Sequence, residues 1–158
     1  MKYFWVFFSI TSLFFTNSFA QKPDKLTSAE LFHEIQKLNF LGTALYVAAH
    51  PDDENTSLIS YLSNHEKART VYLSMTRGDG GQNLIGSELA ELLGVLRTQE
   101  LLAARHMDGG EQRFTRAIDF GFSKHPNETL KIWDKEKVLA DVVWAIRNIK
   151  PDVIINRF

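Results

Sequence analysis

The spacing of apolar residues changes repeatedly along the chain, and each change predicts a helix or a strand. Continuous apolar runs of strand length, typical of parallel strands buried on both faces, lie at 43–49, 70–76 and 153–155. Apolar residues at helical spacing predict helices over 54–64, 87–107 and 134–149. An earlier helix is predicted to begin at Thr27-Ser28-Ala29-Glu30, which has the form of a capping box.

This order of elements predicts the fold class. Strands that alternate with helices are typical of a parallel sheet covered on both faces, so we expect an α/β fold, a Rossmann-like three-layer αβα sandwich with a mainly parallel sheet. A shorter strand is predicted at 113–118, before a loop at 119–127, and leucines form one broad apolar stripe on the helix at 87–107. The sequence ends at Phe158, directly after a strand that we expect to be buried and central. Because open α/β sheets bind ligands beyond the carboxyl ends of such strands, we expect residues 21–158 to be the N-terminal portion of a longer domain, truncated at its C-terminus.

The first twenty residues differ in composition from the rest. They hold six of the 12 Phe residues, Lys2 precedes an apolar run at 3–15, and small residues stand at Ser18 and Ala20. These features predict a secretory signal peptide over 1–20, with cleavage after Ala20. An uncleaved N-terminal membrane anchor is the alternative, but the apolar run is short for a bilayer span. The pattern favours export to the periplasm or the extracellular space.

Overall composition excludes several classes of protein. Hydrophobic residues make up 44% and charged residues 23% of the 158 positions, which is typical of a globular protein and excludes wholesale disorder. The formal net charge of −1 gives no basic field of the kind that binds nucleic acid. The absence of cysteine excludes disulfides, thiolate zinc sites and thiol catalysis, so a bound metal requires His, Asp or Glu ligands.

The sequence Ala49-His50-Pro51-Asp52-Asp53-Glu54 carries the clearest candidate chemistry. It follows a predicted strand and begins a predicted helix, and Pro51 disfavours helical backbone at His50. Imidazole and carboxylate are the natural zinc ligands in a chain without cysteine. Two adjacent aspartates point in different directions, so one can bind a metal while the other faces a metal-bound water. A solvated acidic turn that caps the helix is the alternative, because Asp and Glu are favoured at helix N-termini.

AHPDDE after a buried strand resembles the signature of the PIG-L/LmbE family of zinc-dependent N-deacetylases. The similarity extends along much of the chain, to TRGDGG at 76–81, LRTQELLAA at 96–104 and PDVII at 151–155. The resemblance implies a hydrolase that removes the acetyl group from an N-acetylated amino sugar. It also implies Zn²⁺, or another divalent metal, as the cofactor.

Position by position, the resemblance gives individual residues their roles. His50 and Asp53 match the family's two N-terminal zinc ligands, and Asp52 matches the general base that activates the zinc-bound water. Arg97 matches a substrate-binding arginine, although the residues alone favour an arginine that lies over the sheet edge or pairs with Glu100 or its neighbours. The resemblance places the third ligand in a His-x-x-His motif beyond this sequence, which therefore holds two ligands of three.

The glycine-rich segment at 78–83 follows the second predicted strand. It is not a nucleotide-phosphate loop, because Asn83 stands where GxGxxG requires its third glycine and no GK[ST] follows. A flexible connection is one interpretation of its glycines. Its place at the carboxyl end of a strand favours a wall of the binding pocket, with Asp79 and Asn83 as candidates to bind sugar hydroxyls.

Two functional hypotheses follow. The first is an exported, metal-dependent N-deacetylase that acts on a small-molecule or glycan partner, an N-acetylglucosaminyl conjugate, with no role for nucleic acid. The second is a non-catalytic carbohydrate-binding domain of a larger exported protein that retains the fold. The match of His50, Asp52 and Asp53 to the family favours the enzyme.

Overall fold

The computed structural model describes residues 25–157, which form a parallel sheet with helices on both faces. The strands of this part of the chain are β1 (Thr43–Ala48), β2 (Arg69–Ser74), β3 (Glu111–Phe114) and β4 (Val153–Arg157). They are hydrogen-bonded in the order β3-β2-β1-β4, with parallel pairing throughout. The predicted α/β fold class is therefore confirmed.

Residues 25–157 also form five α-helices. Their bounds are α1 (Ser28–Lys37), α2 (Thr56–Ser60), α3 (Glu91–Asp108), α4 (Pro126–Ile132) and α5 (Lys135–Ile149). α1 begins as its capping box predicts, because the Thr27 hydroxyl accepts a hydrogen bond from the Glu30 N–H (3.3 Å) and the Glu30 carboxylate accepts one from the Thr27 N–H (2.7 Å).

Both faces of β1 and β2 are buried, as expected for a three-layer sandwich. Alternate strand residues point to opposite faces. One face packs on α5 through the cluster Leu45, Val71, Leu73, Ala145 and Ile149. The other face packs on α2 and α3 through the cluster Tyr46, Ala48, Ile59, Tyr72 and Leu101. β1 and β2 therefore lie between two helical layers.

The strand order indicates where a ligand site belongs. From β1 the chain runs outward through β2 to β3, and it then returns to place β4 on the opposite side of β1. Open α/β sheets bind ligands beyond the carboxyl ends of their strands, where this direction reverses. The end of β1, followed directly by residues 49–54, occupies that position.

α2 is shorter than the helix predicted over 54–64. It begins at Thr56 because the Asn55 side chain accepts a hydrogen bond from the Leu58 N–H (3.0 Å) and acts as the N-cap. After Ser60 the chain widens into a π-helical turn at Tyr61–His65.

α3 begins at Glu91 rather than at 87, and most of its leucine stripe is exposed. The residues before α3 form turns instead of helix, because Asn83 Oδ1 accepts hydrogen bonds from the N–H groups of Ile85 and Gly86. Leu93 and Leu101 are buried. The exposed leucines of the stripe are Leu89, Leu92, Leu96 and Leu102.

The third strand lies upstream of its predicted range. It spans Glu111–Phe114 rather than 113–118, because the Thr115 hydroxyl accepts a hydrogen bond from the Ala117 N–H (3.1 Å) in a turn that ends the strand. A helix, α4, then begins inside the loop predicted at 119–127. Pro126 occupies its first turn, where a missing N–H costs nothing.

β4 is a strand, as predicted, but the prediction that it is buried is wrong for the described residues. Val153 is 50% and Ile154 is 47% exposed, because β4 pairs with β1 along one edge only and stands at the end of the sheet order.

The chain divides into two compact units, Met1–Phe32 and His33–Phe158. The predicted signal peptide at 1–20 lies outside the described residues. Of the helices between 25 and 157, none has the length and apolar character needed to cross a bilayer.

Candidate active site

The backbone that carries the candidate residues is fixed at the end of the sheet. Pairing between the strands continues past β1, where the Thr76 N–H donates to the Ala49 carbonyl (3.0 Å). The Thr76 hydroxyl donates to the same carbonyl (3.1 Å), and its side chain is fully buried. The chain is therefore held up to the residue before His50.

Asp53 folds back onto His50 and brings an imidazole nitrogen and a carboxylate oxygen together. The His50 N–H donates to Asp53 Oδ2 (3.0 Å), and the Asp53 N–H donates to the His50 carbonyl (3.3 Å). His50 Nδ1 lies 3.4 Å from the same Asp53 oxygen. At usual bond lengths, two ligands of a tetrahedral zinc ion are about 3.3–3.5 Å apart. The pair has the spacing that zinc requires, and zinc binding itself stays a prediction.

Within residues 25–157, no group of three or more His, Asp or Glu side chains is arranged to hold a metal ion. The two residues predicted to bind zinc, His50 and Asp53, supply an imidazole nitrogen and a carboxylate oxygen 3.4 Å apart. An imidazole and a carboxylate suit zinc in chemistry as well as in spacing.

Asp119 lies in the site although no sequence pattern singled it out. Its side chain is 8% exposed, and Oδ1 lies 3.7 Å from His50 Nε2, the ring nitrogen that does not face Asp53. Asp79 accepts a hydrogen bond from the Asp119 N–H (3.2 Å) and so joins the loop after β3 to the loop after β2. A usable signal existed, because Asp119 directly follows the predicted third strand and the carboxyl ends of parallel strands share one edge.

Asp52 points away from the His50–Asp53 pair and towards Arg97. Arg97 Nη2 lies 3.4 Å from Asp52 Oδ2. The Asp52 side chain is 71% exposed and that of Arg97 is 22% exposed. The structure pairs Arg97 with Asp52, a partner that the sequence did not predict.

A cavity of about 330 Å³ opens beside this ion pair. Its polar lining comes from the side chains of Asp52, Glu54, Thr56, Arg97 and Glu100. Arg97 Nε is buried and has no hydrogen-bond partner among residues 25–157. The cavity therefore combines hydrogen-bond donors and acceptors next to an exposed carboxylate.

The glycine-rich segment uses its polar groups internally. Asp79 holds the Asp119 backbone, as described above. Asn83 Oδ1 accepts a hydrogen bond from the Gly86 N–H (2.9 Å), and its amide donates to the Glu88 carboxylate (3.0 Å). The structure thus brings Asp79 to the site through Asp119, whereas the bonds of Asn83 remain within its own loop. Sugar binding by either residue stays a prediction.

Glu54 ends the site turn in a buried position. Its side chain is 7% exposed, and Oε1 lies 3.3 Å from Nη2 of Arg105 in α3. Burial raises the pKa of the Glu54 carboxyl above its ordinary value, while Arg105 acts in the opposite direction. Glu54 is therefore anchored in the protein, unlike its neighbour Asp52.

The chain is similar to a known family in sequence and to solved structures in fold. The family model described as PIG-L, GlcNAc-PI de-N-acetylase, matches residues 45–157. No curated protein matches the chain. Among solved structures, N,N'-diacetylchitobiose deacetylase from Pyrococcus horikoshii aligns with a TM-score of 0.55 and 18% identity, over 84% of this chain and 51% of that one. The 4-carboxy-2-hydroxymuconate hydratase from Pseudomonas putida aligns with a TM-score of 0.48 and 22% identity, over 72% of this chain and 46% of that one.

The chain spans about half the length of these solved structures. At such low identity the deacetylase structure supports the α/β fold alone. The family model, in contrast, matches the greater part of the sequence and includes the whole of residues 49–54. The chain belongs to the PIG-L family.

Proposed function

We propose that the protein is an exported, zinc-dependent N-deacetylase that hydrolyses the acetamide of an N-acetylated amino sugar, such as an N-acetylglucosaminyl conjugate. The observation that carries the proposal is the arrangement after β1, where His50 and Asp53 have metal-ligand spacing and Asp52 presents an exposed carboxylate. Family membership supports the reaction, because the family model is described as a GlcNAc-PI de-N-acetylase. The deacetylase with a similar fold acts on N,N'-diacetylchitobiose, another N-acetylated amino sugar.

His50 and Asp53 hold the zinc ion in this proposal. When bound, zinc polarises the amide carbonyl and lowers the pKa of water. The Asp53 carboxylate is held in place before any metal binds, because it accepts a hydrogen bond from the His50 backbone N–H (3.0 Å).

Asp52 acts as the general base and then as the general acid. Its carboxylate takes a proton from water as the water oxygen bonds to the acetamide carbon. As the carbon–nitrogen bond breaks, the same carboxyl returns that proton to the nitrogen, which leaves acetic acid and a free amine. Its exposure gives the substrate access, and the Arg97 guanidinium at 3.4 Å orients it.

Arg97 is the substrate-binding residue that the structure supports best. It lines the cavity beside Asp52. Hydroxyl groups of a sugar that enters this cavity would meet donors on Arg97 and acceptors on Glu100. Asp79 and Asn83 stay secondary candidates, because their oxygens already accept backbone hydrogen bonds.

The decisive experiment separates the two aspartates. Asp53→Ala should lose zinc and activity together, because it removes a metal ligand. Asp52→Asn should keep zinc while kcat falls by roughly 10²–10⁴-fold, because the amide is nearly isosteric but cannot accept the proton. The measurements are zinc content and deacetylation of an N-acetylglucosamine conjugate by the full natural protein.

Asp134→Asn is the matched control, since Asp134 pairs with Lys137 on the surface (2.6 Å) and should be replaceable without effect on either measurement. Full turnover by Asp52→Asn would contradict the proposed base. Loss of zinc in Asp52→Asn and retention in Asp53→Ala would reverse the two roles.

A further inference from the structure

Two tyrosines from the sheet donate hydrogen bonds to the backbone of the His50–Asp53 turn. Tyr46 of β1 and Tyr72 of β2 are paired in register, and both are buried. The Tyr72 hydroxyl donates to the His50 carbonyl (2.5 Å), and the Tyr46 hydroxyl donates to the Asp53 carbonyl (3.4 Å). Their rings meet edge to face with centroids 5.8 Å apart. The carbonyls of both proposed metal ligands are thus held by side chains from the sheet.

Arg105 extends this support to the end of the turn. It is 4% exposed and donates to Glu54 Oε1 (3.3 Å), to both carboxylate oxygens of Asp108 and to Gln112 Oε1 (3.2 Å). Its guanidinium carbon lies 5.3 Å from the centroid of the Tyr72 ring. One buried cation therefore contacts the side chain that follows Asp53 and the tyrosine that holds His50.

Such a network needs an explanation beyond stability. Burying a charged group costs solvation free energy, and apolar residues of similar volume often serve stability as well or better. The proposed reaction gives Tyr72 and Arg105 no chemical step. The Tyr72 hydroxyl and one of the hydrogen bonds of Arg105 instead reach the same turn, residues 50–54, while Arg105 also pairs with Asp108 and Gln112.

We propose that Tyr72 and Arg105 are positioning residues, which hold the His50–Glu54 turn in the conformation where His50 Nδ1 and Asp53 Oδ2 lie at ligand spacing. The inference rests on the proposed function, because it assigns these two donors to zinc. Replacing residues that hydrogen-bond to metal ligands and orient them typically costs 10–100-fold in metal affinity or in activity. In such variants His50 and Asp53 keep their metal-binding groups, and only the relative position of these groups changes.

Tyr72 offers the cleanest test, because Tyr72→Phe removes one oxygen and keeps the buried ring. Zinc affinity of the full natural protein is measured by competition with a chromophoric chelator. We expect the dissociation constant to rise about 10–100-fold in Tyr72→Phe. Tyr61→Phe is the matched control, since this tyrosine is 49% exposed and its hydroxyl interacts with Glu66 rather than with the turn. The control should bind zinc as the unsubstituted protein does.

Glu54→Ala tests the contact between Arg105 and the turn. This variant should fold more readily than one that lacks the arginine. Arg105 keeps Asp108 as its counter-ion in this variant, so no buried charge is left unpaired. We expect about a tenfold weaker zinc complex and an altered visible spectrum of the cobalt-substituted protein, which reports ligand geometry. A side chain that only stabilises the fold would lower the melting temperature and leave the spectrum and the affinity of the folded protein unchanged.

The outcomes separate this inference from the proposed function. Unchanged zinc affinity and cobalt spectrum in both Tyr72→Phe and Glu54→Ala, with an active and zinc-binding parent, would overturn the positioning role alone. A parent protein that binds no zinc would overturn the proposed metal chemistry, and the positioning role with it. Weakened zinc binding in both variants with an unaffected Tyr61→Phe control is the expected result.

Discussion

Gly78 allows Arg97 of α3 to approach the loop after β1, because this glycine has no side chain. Its backbone φ is +70°, in the left-handed region that favours glycine. A Cβ at this position would lie 2.9 Å from Cδ of Arg97 and 3.1 Å from Cδ of Pro51. The close approach of Arg97 to the turn that holds Asp52 therefore depends on glycine at this residue.

Gly78→Ala should cost both stability and activity. The left-handed backbone alone costs a non-glycine residue about 1–2 kcal/mol, and the clash with Arg97 adds to this and moves its guanidinium away from Asp52. Gly109→Ala is the control away from the site, with a φ of +78° at the end of α3. Urea unfolding should show a loss in both variants, and kcat/KM should fall only in Gly78→Ala. Equal effects of the two variants on stability and on kcat/KM would show that the contact with Arg97 is unimportant.

Sequence reasoning found the part of the site that is local in the chain. His50, Asp52 and Asp53 stand within four consecutive positions after one strand, so their residue types and spacing are visible in the sequence. Asp119 and Tyr72 reach the same place only through the pairing of β1, β2 and β3. Their roles depend on distances across the sheet, which no local spacing encodes.

Among the helices, α3 shows most clearly how helical spacing and burial can differ. Leu101 and Leu102 are neighbours in its leucine stripe, yet Leu101 is 4% and Leu102 is 46% exposed. Leu101 belongs to the cluster that packs on Tyr46 and Tyr72. The face of α3 that packs on the sheet is therefore narrower than the stripe of six leucines, and most of these leucines lie outside it.

Replacing these two leucines should give very different losses of stability. Leu101→Ala should lower the free energy of unfolding by about 2–5 kcal/mol, because it leaves a cavity against the two tyrosines. Leu102→Ala should lower it by less than about 1 kcal/mol, because much of that side chain is already in water. Chemical denaturation of each variant measures the difference. Similar losses would mean that a partner covers Leu102 in solution.

Element types followed from the sequence more reliably than their ends. Runs such as 43–49 and 70–76 are apolar on both faces, which is sufficient to identify buried parallel strands. The ends depend instead on single hydrogen bonds, such as the Asn55 cap of α2 and the Thr115 turn that ends β3. The sequence pattern does not indicate α4, because Pro126 suits a loop as well as it suits the first turn of a helix.

In the molecule as a whole, the sheet order explains why the chemistry collects at one edge. β1 lies between β2 and β4, and the direction of the chain reverses beside it. The loops after β1, β2 and β3 therefore meet, and they contribute His50, Asp79 and Asp119 respectively. The fold class and this edge were predictable from alternating elements, whereas the exposure of β4 was not, because burial of an edge strand depends on what lies beside it.

Export is the remaining property of the whole protein that the sequence predicts. Lys2, the apolar run at 3–15 and the small residues Ser18 and Ala20 have the order of a secretory signal peptide. We expect the protein isolated from its natural host to begin at Gln21, as read by mass spectrometry of its N-terminal peptide. Ala20→Phe should block cleavage and leave the signal attached, because signal peptidase sites require a small residue at that position. Recovery of an intact Met1 terminus from membranes of the unsubstituted strain would instead identify residues 1–20 as an uncleaved anchor.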